Sequence, residues 1–143
     1  MIRPIDQAHM QVAETYARLS KARRLKVGAI IVKDDRVISI GYNGTPTGWD
    51  NNCEEDIYHS NGLHVTLKTK PEVIHAEANA IAKLARSNEA GASASMYISH
   101  SPCYDCAKLI YVAGINKVFF RQHYRSEEGI KFLEKCNIEV VKI

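Results

Sequence analysis

Residues 95–122 read SMYISHSPCYDCAKLIYVAGINKVFFRQ, and the change of pattern along this stretch decides the fold. SMYISHS reads as a strand, PCYDCAKLIYVAGI as a helix ending at Gly114, and KVFFRQ as a second strand. Downstream, Ser126 to Cys136 reads as a helix and IEVVKI as a last strand. Upstream, Ile74 to Arg86 reads as a helix with Ala78, Ile81, Ala82 and Ala85 on one face. VGAIIVKDDRVISIGYN gives two β-rich runs around a turn at Lys33 to Asp35, the pattern of a hairpin. From Ile5 to about Ala22, Ala8, Val12, Tyr16 and Leu19 recur at helical spacing, with Asp6 near the start and Lys21, Arg23 and Arg24 at the end. Helices alternating with strands after an initial hairpin predict a three-layer α/β/α domain built on a five-stranded mixed sheet.

The 143 residues, 45% of them hydrophobic, fit one domain spanning 1–143 with a real core. Within it, residues from about 49 to 73 read as an insertion loop, because GYNGTPTGWDNNCEED is rich in Gly, Asn and Pro and no period follows. No apolar run is long enough to cross a membrane, and MIRPIDQAHM lacks the apolar core of a signal peptide. The expectation is a soluble, cytoplasmic protein with no membrane partner. A net charge of +3 with scattered basic residues argues against wrapping a nucleic-acid backbone. Four cysteines in such a chain are expected to be reduced thiols, with Cys53 and Cys136 unpaired.

Two short motifs carry the chemistry. His75 and Glu77 open one helix in IHAEANAI, and Cys103 and Cys106 open another in SPCYDCAK. With Pro102 in the first turn and Ser101 as its cap, Cys103 and Cys106 share one face at i and i+3. A helix N-terminus favours thiolate over thiol. His75 offers a third ligand, leaving a tetrahedral Zn²⁺ one open position for water, with Glu77 beside it as proton carrier. Each piece alone has a plainer reading: His75 as a cap, Glu77 as first-turn charge complementation, the cysteine pair as half of a structural zinc site or a redox motif. Together, H-x-E followed by P-C-x-x-C is the signature of zinc-dependent nucleobase deaminases.

RLKVGAIIVKD, GYNGTPTG, HAEANAI, PCYDCAKLIYVAGI and KVFF together make the chain resemble the deoxycytidylate deaminase family over most of its length. The resemblance implies a cytidine-deaminase-like fold and hydrolysis of dCMP to dUMP and ammonia, supplying thymidylate synthesis. It further implies one catalytic zinc, activation by dCTP (with Mg²⁺ alongside that effector), inhibition by dTTP, and a homohexamer. Under it, Glu77 bonds N3 of the cytosine and shuttles protons, while Ala76, Ser101 and Pro102 present the base-edge wall. Asn43 and Thr45 in GYNGTPTG, and Tyr124 after the fourth strand, fall near the sugar and phosphate. Asn43-Gly44 equally fits a plain turn requiring positive φ. Arg23, Arg24 and Lys26 either meet a phosphate or complement the end of the first helix. Gly41, Tyr42, Gly44 and Trp49 are the candidates for effector contact. Cys53, His59 and His64 match no strong metal template. His100 departs from the threonine expected in many relatives. A tRNA-adenosine deaminase, which should be more basic, and a non-catalytic zinc or redox domain, which leaves Glu77 unexplained, are the rival readings.

Overall fold

A computed structural model describes residues 1–60, 62 and 64–143. The elements in chain order are α1 (Pro4–Ala17), β1 (Gly28–Lys33), β2 (Arg36–Tyr42), β3 (Glu54–Tyr58), β4 (Val65–Thr69), α2 (Ala76–Leu84), β5 (Ser95–His100), α3 (Tyr104–Val112), β6 (Lys117–Gln122), α4 (Glu128–Lys135) and β7 (Glu139–Lys142). Five strands form the main sheet in the order β2-β1-β5-β6-β7. β1 runs antiparallel to β2 and β5, whereas β5, β6 and β7 are mutually parallel neighbours, so the sheet is mixed as expected. The β1–β2 hairpin closes through Asp34 (φ 52°) and Asp35 (φ 55°), the paired positive values that suit a two-residue turn between twisted strands.

Each face of the sheet buries a different set of side chains, as the period of two requires. On one face Ile30, Val32, Tyr97 and Phe119 pack under Met10 and Ala13 of α1. On the other, Ala29, Ile31, Met96, Ile98 and Val118 meet Ala76, Ala80 and Leu84 of α2, Ala107 and Ile110 of α3, and Leu133 of α4. The three layers are therefore one helix, the sheet, and three helices. On the single-helix side, Tyr97 stacks on Phe119 at 4.5 Å and donates its hydroxyl to buried Asp6 at 2.7 Å.

Several expectations are corrected. α1 ends at Ala17, so Lys21, Arg23 and Arg24 stand beyond its last turn and do not complement that helix end. Its buried face is Asp6, His9, Met10, Ala13 and Ala17, one step round from the stripe starting at Ala8. In α2 the inward residues are Ala76, Glu77, Ala80 and Leu84. An alanine-rich helix offers more than one apolar stripe, and tertiary approach selects among them. Here the selector is Gly41 in β2, where a Cβ would collide with the Ala76 carbonyl and the Ala80 amide. The stretch 49–73 is not structureless, because β3 and β4 pair antiparallel from Glu54↔Thr69 to Tyr58↔Val65. Its charged and polar residues hid that alternation.

Candidate active site

The metal-type donors come from two helix starts. His75 is the N-cap of α2 and Cys103 the N-cap of α3, both in extended conformation (ψ 152° and 170°). The Ser101 cap predicted for α3 is thus corrected. The helix begins two residues later, because Ser101 is tied to the fourth sheet strand, its N–H bonding the Gln122 carbonyl at 2.8 Å. α4 presses this corner into place through Gly129, where any Cβ would strike the Pro102 carbonyl.

Cys103 Sγ and Cys106 Sγ lie 3.6 and 3.4 Å from His75 Nδ1, and all three donor atoms fall within 4.8 Å of one another. Tetrahedral zinc with Zn–S near 2.3 Å and Zn–N near 2.0 Å places its ligand atoms about 3.4–3.8 Å apart, so the triangle fits that ion. The three donors share protons as one set. A hydrogen bond from Cys106, reinforced by His75, pulls the Cys103 thiol down to about 4 against the opposing effect of burial. Cys106 moves up, chiefly because it holds the shared proton, and His75 moves up mainly through its bond to Cys103. Among the described residues this is the one cluster of His, Cys and carboxylate groups close enough to share an ion.

Glu77, in the first turn of α2, is 5% exposed. Burial pushes its carboxyl up to about 7, while its backbone hydrogen bond and the His75 charge work the other way. A carboxylic group poised there can both give and take a proton.

The cleft lined by His75, Glu77 and Cys103 is also lined by Ala76, Ser101, Asn43, Arg24 and Tyr124, while the buried Cys106 is not on that lining. Of the residues expected from sequence, Lys26, Thr45, Pro102, Gly41, Tyr42, Gly44 and Trp49 are not on that lining. Thr45 donates its hydroxyl to the Asp50 carbonyl, and Trp49 is 57% exposed. Gly44 exchanges two backbone hydrogen bonds with Ile74, the residue before His75. The Asn43 carboxamide accepts from the Val27 N–H (2.9 Å) and donates to the Leu25 carbonyl (2.8 Å), which fixes the entry to β1. Arg24 donates from Nε to Thr69 Oγ1 (3.2 Å) and from a terminal nitrogen to the Tyr124 hydroxyl (2.6 Å). Tyr124 is anchored in turn by its N–H to Ser101 Oγ at 2.8 Å. Cys53 is buried, with its sulfur near the Asn51 carbonyl, while His59 and His64 stack 4.2 Å apart on the exposed hairpin.

Sequence reasoning missed Glu54, Thr69 and Val73 on the cleft wall, because none stands in a motif, and Leu25, which stands within RLKVGAIIVKD but carries no polar side chain to mark it. His100 also lines it; burial pushes its imidazole below the ordinary value, and Nδ1 lies 3.1 Å from Ser99 Oγ.

Residues 3–122 match the cytidine and deoxycytidylate deaminase zinc-binding region. The chain belongs to this deaminase family. Its relatives within the family include the human deoxycytidylate deaminase, 36% identical over 92% of this chain and 82% of the human one. The deoxycytidylate deaminase of Saccharomyces cerevisiae is 34% identical over 94% of this chain but only 43% of its own length. The chain thus spans less than half of the yeast protein. Among solved structures, the dCMP deaminase of cyanophage S-TIM5 in complex with dCMP and dUMP superposes with a TM-score of 0.88 and 40% identity, covering 100% of both chains. With the family established, His75, Cys103 and Cys106 form its His/Cys/Cys zinc-binding site.

Proposed function

We propose that the chain is a zinc-dependent dCMP deaminase, converting dCMP and water to dUMP and ammonia. The observation that carries this is one cleft that brings His75 and Cys103 of the zinc triangle and the buried Glu77 carboxyl together with a half-buried cation, Arg24, paired with Tyr124. The full-length likeness to a phage enzyme solved with dCMP and dUMP supports it.

The residues divide the work. His75, Cys103 and Cys106 hold the metal, which when bound supplies a Lewis acid that lowers the pKa of a water toward about 7. Glu77 donates a hydrogen bond to N3 of the cytosine, then carries a proton to the departing amine at C4. The backbone at Ala76 and Ser101 borders the base. Pro102, buried next to Ser101 in the chain, stiffens that wall. Asn43, with one N–H and one lone pair beyond its two bonds to residues 25 and 27, faces the sugar. Arg24 and Tyr124 take the 5′-phosphate, Lys26 and Thr45 contributing from the rim.

The regulatory part of the proposal is activation by dCTP with Mg²⁺ and opposition by dTTP, through the segment carrying Gly41, Tyr42, Gly44 and Trp49. The Gly44–Ile74 bridge supports it, since a shift of that loop is passed by backbone hydrogen bonds to the residue next to His75. A homohexamer is supported by the outer face of α3, which exposes Tyr104, Leu109, Tyr111 and Val112. Ammonia release measured against dCMP, cytidine, deoxycytidine and dCTP tests the function. Turnover of dCMP alone is expected, and equal turnover of cytidine would sink the nucleotide assignment. Sigmoidal rates against dCMP that become hyperbolic with dCTP test the regulation.

A further inference from the structure

Glu54 opens β3 and is 2% exposed, yet it has no part in the metal site. Its carboxylate accepts the Arg23 N–H on both oxygens (3.1 and 3.0 Å) and the Arg24 N–H at 3.0 Å. The Arg23 side chain adds a contact from Nε at 3.6 Å. Burying a carboxylate is costly unless such donors surround it. What they surround is the backbone of residues 23 and 24, a loop beyond the last turn of α1 with no helical partners of its own. With that backbone fixed, the Arg24 side chain crosses the cleft between Thr69 at the end of β4 and Tyr124. These two bonds use two of the five guanidinium N–H donors, leaving three for an anion.

We propose that Glu54, acting with Thr69, is a positioning residue that holds Arg24 for the 5′-phosphate, so that nucleotide binding depends on the β3–β4 hairpin. The inference rests on the dCMP reading above. The plainer alternative is that Glu54 only fastens the hairpin to the domain.

Glu54→Gln separates the two. Because Arg23 N–H bonds both oxygens, either amide orientation sets an N–H₂ against a backbone N–H and disturbs the loop. The expected result is a KM for dCMP raised about tenfold with kcat within about twofold, since a charge-assisted hydrogen bond is lost away from the reacting atoms. Calorimetric Kd for dUMP weakens by the same factor, and zinc content stays at the wild-type level. Thr69→Val should shift KM and Kd the same way by about threefold, with Thr69→Ser restoring both. If Glu54→Gln fails to fold, the Thr69 pair decides. Unchanged KM and dUMP affinity in the soluble variants, or a loss confined to kcat or thermal stability, overturns the assignment. Wild-type protein that neither deaminates dCMP nor binds dUMP overturns the functional reading first, and this assignment with it.

Discussion

The two ends of the cleft are built in opposite ways. At the metal end, His75, Glu77, Cys103 and Cys106 come from two short motifs, each at a helix start, so local spacing alone nearly fixes their geometry. At the proposed phosphate end, Arg24, Tyr124 and the cross-strand pair Glu54 and Thr69 of the β3–β4 hairpin come from three separate segments joined by tertiary contacts. On the proposed reading, chemistry is encoded locally and selectivity is assembled globally, which predicts that the two ends fail differently when altered.

The largest effect is expected at Cys106→Ala, which removes one corner of the triangle. Zinc content measured by elemental analysis should fall from about one per chain to near zero, with activity following. Retained zinc would show that the triangle is not the ligand set. Glu77→Gln should keep the metal and nucleotide binding while turnover drops at least about 10²-fold, because shape survives and the proton carrier does not. Arg24→Ala probes the other end. Its KM for dCMP should rise roughly 10- to 100-fold with zinc content and kcat little changed, the signature of lost ground-state binding. A fall in kcat alone would erase the contrast between the ends.

The smallest effect belongs to the scaffold beneath both. Burial raises the cost of charge at Asp6, but bonds from Arg3 and the Tyr97 hydroxyl win and hold its carboxyl down to about 2. A depressed folded pKa means stability that is present above the ordinary value of 3.8 and lost as pH falls toward about 2. The melting temperature should therefore drop through that window, and Asp6→Asn should flatten the drop while lowering the neutral-pH value. A variant as acid-sensitive as the parent would place the weakness elsewhere.

These contrasts also explain what was legible in the sequence. The strand–helix–strand run around PCYDC, the β1–β2 hairpin and the mixed sheet followed from period and turn chemistry, and the zinc triangle from spacing. Helix faces were less legible, because Ala78 and Ala80 are equally apolar and only the approach of Gly41 decides between them. β3 was hidden because EEDIY shows no apolar alternation; its value lies in pairing and in one buried carboxylate. Glu54 and Thr69 could not be found from pattern, since their meaning depends on Arg24, some 30 and 45 positions away.

Placing His75 and Cys103 at the N-caps of two different helices has a consequence for how the domain is held together. These residues are 28 apart in sequence, so an ion bound by both acts as a cross-link that closes a chain loop spanning α2 and β5. The loop-entropy relation for a cross-link of that span gives about 3–4 kcal/mol. A chelator therefore removes a topological constraint along with the chemistry, and α2 and α3 should become the first helices to exchange their amide hydrogens.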